Sequence, residues 1–302
     1  MRLHVVDGTF EIYRAHFSKR PGHLSPSGQD VKATVGLLSS MFWLLEDEAE
    51  AVSHVAIAFD NPIASFRNDL FAAYKSDEGV PPEIRGQFDL AEEAMRAIGI
   101  VVWSMGQWEA DDALATAAAR FGDAVDQVRI LTPDKDLGQC VRGREIVQVD
   151  RIRKRVIDEA GVRAGWGVAP RSIPDLLALM GDSADGIPGI AGFGAKTAAV
   201  LLASFGTIEA IPDDPRAWLA AGLTVRGADR LAATLRDQRA NALLYKKLAT
   251  LVEDVPLPQQ LDELEWQGVP RGAFADLRAE LGLDEKWNDR PKRWASGSSL
   301  DA

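Results

Sequence analysis

Two short acidic sequences, separated by about one helix and one strand, constrain the fold of this chain most strongly. They are Glu109–Asp112 and Asp134–Asp136. The alanine- and leucine-rich run from Ala113 to Arg120 contains no helix breaker, so it predicts a buried helix whose first turn carries the first acidic sequence. Val128 to Leu131 predicts a short buried strand, and the second acidic sequence follows its carboxyl end. Since a helix start and a strand end meet at the same edge of an α/β sheet, we expect both acidic sequences there.

Other predicted strands also end on acidic residues. Leu3 to Val6 is followed by Asp7, and His54 to Phe59 is followed by Asp60. A third apolar strand, 100–103, leads into the first acidic sequence. Because strands and helices alternate through the first half of the chain, the pattern predicts an α/β fold with a mostly parallel sheet flanked by helices.

Nine acidic residues at predicted element ends form the candidate metal site: Asp7, Asp60, Glu109, Asp111, Asp112, Asp134, Asp136, Asp182 and Asp185. The first seven come from sheet edges or helix starts that line one crevice in an open α/β sheet. Converging carboxylates repel one another unless cations bind between them, and hard oxygen ligands without histidine favour Mg²⁺ or Mn²⁺ over Zn²⁺. Two ions about 4 Å apart would activate water for phosphodiester hydrolysis. Taken singly, each acid could instead cap a helix or a turn.

A glycine-rich segment, 189–197, is the second candidate binding element. Its glycines allow backbone N–H groups to approach a ligand, and the helix that begins near Lys196 adds its positive end. The spacing does not match a P-loop, and a plain turn between packed helices is the alternative. Because the segment directly follows Asp182 and Asp185, it is suited to hold a duplex phosphate backbone.

Composition limits the classes of partner. The net charge of −11, from 45 acidic and 34 basic residues among 302, argues against a general polyanion-binding surface. Two divalent ions would offset four of these charges, so any nucleic-acid contact must be local. The single cysteine, Cys140, excludes an internal disulfide and fits a reducing, cytoplasmic location. No stretch is apolar enough to suggest a membrane span or a secretory signal.

Several segments together resemble the 5′ nuclease family, which includes the 5′–3′ exonuclease domain of bacterial DNA polymerase I and flap endonucleases. The matching segments are VVDGTFEIYRAHF, AFDNPIASFRNDLFAAYKS, WEADDALA, RILTPDKDL, LMGDSADGIPGIAGFGAKTA and, more loosely, LLYKKLATLVEDVPL. The resemblance implies a PIN-like α/β nuclease core over residues 1–160 with a helical arch at about 66–98. It also implies a helical DNA-binding region over 161–258 with a helix-three-turn-helix at about 176–204. Residues 259–302 form an extension, whose tail we expect to be disordered.

The resemblance assigns a role to each matching residue. Asp7, Asp60, Glu109, Asp111 and Asp134 match the carboxylates nearest the catalytic metals, and Asp112, Asp136, Asp182 and Asp185 complete the cluster. Lys75 matches a lysine that contacts the scissile phosphate, Tyr74 matches an aromatic residue that stacks on a frayed base, and Arg67 resembles a further phosphate contact. The duplex and a monovalent cation such as K⁺ are assigned to Gly189, Gly192, Gly194, Lys196 and Thr197.

The implied activity is that of a monomeric, structure-specific 5′ nuclease of replication and repair, which cuts DNA at 5′ ends or flaps without an attached polymerase. One position departs from the family, because Glu78 stands where an arch arginine is usual; Arg85 could replace part of that function. A DNA-binding protein that keeps the fold without turnover is therefore an alternative. A haloacid-dehalogenase-like phosphatase is disfavoured, since that class needs an aspartate where this chain has Thr9.

Overall fold

The computed structural model describes residues 1–76 and 80–296. Within these residues the strands are β1 (Arg2–Asp7), β2 (His54–Asp60), β3 (Val101–Met105), β4 (Gln127–Leu131), β5 (Ile146–Asp150) and β6 (Arg155–Ile157). No helix in the described ranges is both long enough and apolar enough to cross a membrane.

Helices connect and follow the strands. In chain order they are α1 (Gly8–His16), α2 (Lys32–Glu46), α3 (Phe66–Leu70), α4 (Pro82–Arg85), α5 (Phe88–Ala97), α6 (Ala110–Phe121), α7 (Glu159–Trp166), α8 (Ile173–Met180), α9 (Ala195–Phe205), α10 (Pro215–Ala220), α11 (Ala228–Asp237), α12 (Arg239–Ala249) and α13 (Arg271–Leu281). Short 3-10 helices lie between them, including Lys135–Cys140 directly after the second acidic sequence.

The chain forms two compact units. The first comprises Met1–Ile63, Asp77–Leu131 and Glu253–Ala302. Its four strands are all parallel, in the order β3-β2-β1-β4. Fully buried side chains such as Leu3 and Ile57 fill the strands, and α6 packs across all four of them. Strands buried on both faces need continuous apolar sequence, and this is what the strand segments contain.

The second unit comprises Ala64–Ser76 and Thr132–Val252. It contains the antiparallel pair β5–β6 and a group of helices in which α8 packs against both α9 and α12. Its core is built from buried aliphatic side chains around Trp218, Leu177 and Leu202. The predicted fold class, a mostly parallel sheet with flanking helices and a C-terminal helical region, is confirmed. The domain limits 1–160, 161–258 and 259–302 stay predictions.

Two details differ from the sequence-based expectation or lie beyond the described residues. The apolar spacing over 225–251 predicts one long helical stretch, but α11 and α12 are separate, and the break falls at Gln238, which has φ −110° and ψ 15°. The departure at Glu78, with its neighbour Asp77, lies outside the described residues. The tail expected to be disordered is 294–302, but Trp294 pairs with Val269 and the Ala295 N–H donates to the Val269 carbonyl oxygen at 3.0 Å, while the part from residue 297 onward lies outside the described residues.

Candidate functional site

The acids of the first unit lie at the carboxyl edge of the parallel sheet. Asp7 is the last residue of β1 and caps α1, its Oδ1 accepting a hydrogen bond from the Phe10 N–H at 2.8 Å. Asp60 ends β2, and its Oδ1 accepts from the Ala110 N–H at 2.7 Å. Its own N–H donates to Thr9 Oγ1 at 2.8 Å. Backbone amides therefore hold the ends of β1 and β2 and the start of α6 together.

Glu109 and Asp112 form a capping box at the start of α6. The Glu109 side chain accepts from the Asp112 N–H, and Asp112 Oδ2 accepts from the Glu109 N–H at 3.0 Å. Both side chains are buried, and Asp111 lies in the same turn, half-buried. The amides and the positive helix end stabilise this negative charge. Glu109 and Asp112 thus cap a helix, which was the alternative predicted for single acids. The capping hydrogen bonds also fix the positions of their carboxylates.

In the second unit, one buried carboxylate is compensated less completely by hydrogen bonds than the capping acids of the first unit. Asp134 caps the 3-10 helix, its Oδ1 accepting from the Asp136 N–H at 3.0 Å. Asp136 is only 6% exposed, and its Oδ1 has no hydrogen-bond partner in the part of the chain that the structure describes. Burial, and then the negative charges of Asp134, Asp185 and Asp182, raise the pKa of the Asp136 carboxyl well above its usual value.

Lys135 and Asp182 form an ion pair in the same unit. Asp182 is 4% exposed, and its Oδ1 accepts from the Ala184 N–H at 2.9 Å while Oδ2 pairs with Lys135 Nζ. Burial by itself would lower the pKa of the Lys135 ammonium, but the hydrogen bond and charge of Asp182 raise it above its usual value. Lys135 is therefore held as a cation among these acids.

Lys75 makes two contacts with Asp185, and its neighbour Tyr74 makes a third. The Lys75 N–H donates to the Asp185 carbonyl oxygen at 3.2 Å, and Lys75 Nζ lies 3.5 Å from Asp185 Oδ1. The Tyr74 hydroxyl donates to Asp185 Oδ2 at 3.3 Å. Asn68 Nδ2 holds the same segment from the other side, donating to the Lys75 carbonyl oxygen at 2.9 Å. A predicted phosphate-binding lysine and a predicted metal ligand are thus adjacent.

Gly186 makes the approach of these two segments possible. It has φ +72°, and a Cβ at this position would lie 2.2 Å from the Ala73 carbonyl oxygen. Only glycine combines that backbone conformation with so close a contact. The packing of residues 73–75 against the turn that carries Asp185 thereby explains the second glycine of the GDSADG sequence, Gly186.

Two residues predicted to contact DNA are buried in this structure. Arg67 is fully buried, and its guanidinium donates to the carbonyl oxygens of Leu248, at 2.8 Å, and Thr250, at 3.0 Å. Tyr74 is 4% exposed and belongs to the core of the second unit. Both side chains thus have a structural role here, and their assignment to a phosphate and to a frayed base stays a prediction.

The glycine-rich turn is anchored by two apolar residues and exposes part of its backbone. Ile190 and Phe193 are buried and anchor it in the core of the second unit, while Gly192, Gly194 and Lys196 are exposed. Gly189 and Gly192 adopt φ +72° and +90°. Gly194 caps α9 without a side chain, and Thr197 follows in its first turn. The assignment of these residues to DNA, and of K⁺ to the turn, stays a prediction.

The predicted acidic ligands have the chemistry that a divalent cation needs, although in the described part of the chain they do not already form a complete metal site. In residues 1–76 and 80–296, no three histidine, cysteine, aspartate or glutamate side chains are grouped so that they could already hold a metal ion. The orphaned Oδ1 of Asp136, an all-oxygen donor set and the mutual repulsion of the acids nevertheless match the needs of Mg²⁺ or Mn²⁺. The nine-residue metal centre stays a prediction.

Lys135 and Asn68 contact the candidate site but are not among the residues predicted from the sequence. Lys135 stands between two of the predicted ligands, and a cation flanked by aspartates was the available signal. Asn68 is the third residue after Ser65, and the two form a capping box at the start of α3. That spacing is visible in the sequence. The carbonyl groups that Asn68 holds were not, since they depend on how residues 74 and 75 fold back.

Comparison with known proteins agrees with this geometry. The 5′-3′ exonuclease N-terminal resolvase-like domain matches residues 2–167, and the 5′-3′ exonuclease C-terminal SAM fold matches residues 168–271. DNA polymerase I of Bacillus caldotenax is 36% identical over 288 residues, which cover 93% of this chain and 31% of the polymerase. The chain thus spans about a third of the length of the curated relatives it matches.

Solved structures share the fold at lower identity. T5 5′-exonuclease with bound zinc superimposes with a TM-score of 0.64 at 17% identity, covering 93% of this chain and 100% of that one. The catalytic core of Rad2 in complex with DNA substrate gives a TM-score of 0.58 at 16% identity, covering 95% and 90%. Because the two exonuclease domains together match residues 2–271, the chain belongs to the 5′-3′ exonuclease family.

Proposed function

We propose that this chain is a metal-dependent, structure-specific 5′ nuclease that hydrolyses DNA phosphodiester bonds at 5′ ends or flaps during replication and repair. The observation that carries the proposal is the fixed position of Lys75 beside Asp185, in the unit that also buries Asp136 and Asp182. A cation that contacts a phosphate next to a set of carboxylates is the combination this hydrolysis needs.

Relatives support the proposal. The matched exonuclease domains are named for this activity, and DNA polymerase I of Bacillus caldotenax is 36% identical to this chain. The T5 5′-exonuclease structure contains divalent zinc, and the Rad2 structure contains a DNA substrate. We extend divalent-metal dependence and DNA binding to this chain, with Mg²⁺ or Mn²⁺ preferred because no histidine stands among the predicted ligands.

The chain's own residues have distinct tasks in this proposal. Divalent ions would activate a water and stabilise the leaving oxygen when bound. In the first unit the proposed ligands are Asp7, Asp60, Glu109 and Asp111, and in the second unit they are Asp134, Asp136 and Asp185. Lys75 orients the scissile phosphate and balances its charge. Its ammonium is held in place by Asp185, so it is oriented before substrate binds.

The exposed glycine turn would bind the duplex. Backbone N–H groups of the turn, the start of α9 and the Lys196 ammonium can contact phosphates without reading the base sequence. Such contacts are few, which agrees with a protein whose net charge is −11. Binding should accordingly weaken with salt, but with a shallow dependence.

Cleavage of a 5′-labelled flap duplex tests the proposal. The native protein, Asp134→Ala and Lys75→Ala are compared in Mg²⁺, in Mn²⁺ and in EDTA. We expect metal-dependent cleavage near the junction, lost in Asp134→Ala and at least about a hundredfold slower in Lys75→Ala, because charge stabilisation of that kind contributes two or three orders of magnitude. Product length then separates flap cleavage from exonucleolytic cleavage.

Lys286→Ala is the matched control, since Lys286 is an exposed lysine of the C-terminal segment and has no role in the proposed site. It should cleave at the native rate. Duplex binding without cleavage by the native protein, in either metal, would replace the enzyme with the DNA-binding alternative.

A further inference from the structure

A lysine already occupies part of the acidic cluster in the second unit. The Lys135 ammonium pairs with Asp182, although the two residues are 47 positions apart in sequence (182 − 135). The same lysine is flanked in sequence by Asp134 and Asp136. The pair therefore joins the turn after the second acidic sequence to the turn that carries Asp182 and Asp185.

This ion pair differs from an ordinary surface ion pair because its acidic residue, Asp182, is buried and held in place by further hydrogen bonds. Asp182 is 4% exposed, and its other oxygen is used by the Ala184 N–H at 2.9 Å. Its backbone is held by two hydrogen bonds to Ile187, at 2.8 and 2.7 Å. Lys135 starts a 3-10 helix whose cap is Asp134. Asp182 therefore cannot turn toward solvent without giving up these backbone contacts.

Burial makes the lysine necessary in the absence of metal. A carboxylate as buried as Asp182 is costly unless a cation or hydrogen bonds compensate it. Asp136 nearby is 6% exposed and has an oxygen without a partner in the described ranges. The ammonium groups of Lys135 and Lys75 are two cations among four carboxylates, so negative charge remains for a divalent ion.

We infer that Lys135 is a built-in cation of the candidate metal centre: it neutralises Asp182 and lowers the affinity of the remaining carboxylates for divalent ions. This inference rests on the proposed function, because it deepens the assignment of the acids to a metal centre. It also changes the role of one residue, since Asp182 serves Lys135 in place of a metal ion. Lys135 is a positioning residue and contacts no substrate.

The charge arithmetic gives the expected direction. Removing the ammonium adds one uncompensated negative charge to the cluster, so a divalent cation is attracted more strongly. The same removal leaves Asp182 buried without its partner, so the metal-free protein loses stability. Tighter metal binding together with lower metal-free stability distinguishes an internal cation from a lysine that is only structural.

Calorimetric titration of the full chain with Mn²⁺, without DNA, measures the first effect. We expect Lys135→Met to bind Mn²⁺ at least about threefold tighter than the native protein, and Lys135→Arg to bind like it. The double variant Lys135→Met with Asp182→Asn restores the native charge and should return the affinity toward native. Lys247→Met is the matched control, because Lys247 is an exposed lysine on α12 in the same unit.

Thermal unfolding in EDTA and in Mn²⁺ measures the second effect. Lys135→Met should melt below the native protein in EDTA and recover most of the difference in Mn²⁺, while Lys247→Met follows the native protein in both. Equal or weaker Mn²⁺ affinity in Lys135→Met would overturn the inference, as would the absence of any Mn²⁺ response in both proteins. Flap cleavage by the native protein, measured in parallel, shows separately whether the nuclease proposal stands.

Discussion

The two units hold their acids in different ways. In the first unit, carboxylate oxygens of Asp7, Asp60 and Asp112 accept hydrogen bonds from backbone N–H groups. In the second, Asp182 pairs with Lys135, and a buried oxygen of Asp136 has no partner among the described residues. Backbone amides stabilise a carboxylate whether or not metal is present. Side-chain cations compete with metal for the same oxygens, so the stability contributed by the second set should depend more strongly on ions.

The largest difference in stability should come from Asp136. We expect Asp136→Asn to stabilise the metal-free protein by about 2 kcal/mol, because it removes a buried charge that neighbouring acids oppose. The same change should abolish most of the stabilisation by Mn²⁺. Urea denaturation in EDTA and in Mn²⁺ measures both, with Asp229→Asn, a change at an exposed acid of α11 in the same unit, as control. Destabilisation in EDTA would show that Asp136 is compensated like the acids of the first unit.

Asp112 should behave in the opposite way. Asp112→Ala removes one half of the capping box at the start of α6 and leaves the Glu109 N–H without its acceptor. We expect a loss of about 1.5 kcal/mol in EDTA. Asp112→Asn is the matched variant, and it should lose less because asparagine also caps helices. If Asp112→Ala were more stable than the native protein in EDTA, the two units would not differ in how they compensate their acids.

A carboxylate of the first unit with side-chain partners sharpens the comparison through pH. Glu50 Oε2 lies 3.0 Å from His4 Nε2 and 2.7 Å from Arg129 Nε. The hydrogen bond from His4, and then the charge and hydrogen bond of Arg129, lower the pKa of Glu50 from 4.5 to about 2. The lowered pKa means that its contribution is complete above pH 4.5 and is lost as the pH falls toward 2.

Glu50→Gln should therefore cost about 1 kcal/mol near neutral pH, a small value because solvent screens a partly exposed pair. The difference from the native protein should shrink through that acid window and vanish at its lower end. Chemical denaturation at a series of pH values measures it, with the exposed neighbour Glu48→Gln as control. A difference that persists at the lowest pH would assign the effect to packing and not to charge.

The smallest change in stability should come from Asp7. Asparagine caps a helix about as well as aspartate, so Asp7→Asn should shift the free energy of unfolding by less than about 0.5 kcal/mol. Flap cleavage should nevertheless fall at least about a hundredfold, because an amide is a poor ligand for a divalent ion. A large loss of stability with normal cleavage would show that Asp7 is only a cap.

Much of the fold followed from local pattern. Apolar runs ending on Asp7 and Asp60 predicted parallel strands with acids at their carboxyl ends, and the run after Asp112 predicted α6. The strands are buried on both faces, which makes their sequence continuous and easy to recognise. The helical stretch over 225–251 failed as one element, because apolar spacing continues across the break at Gln238.

The sequence pattern could not predict hydrogen-bond partners that are distant in sequence. Arg67 and Tyr74 carry polar groups typical of a nucleic-acid contact, yet both are buried, since Leu248, Thr250 and Asp185 offer acceptors that only the folded chain brings near. Residue type gives the hydrogen-bonding capacity of a side chain, but not which partner meets it.

The sequence by itself determined which acids stand at element ends, because strand and helix periodicity are local properties of the chain. The tertiary structure decided how each of those acids is compensated. Asp112 meets an amide three residues away, whereas Asp182 meets a lysine 47 residues away (182 − 135). Electrostatic compensation depends on distance in space, and loops such as the one at Gly186 set that distance only when the chain has folded.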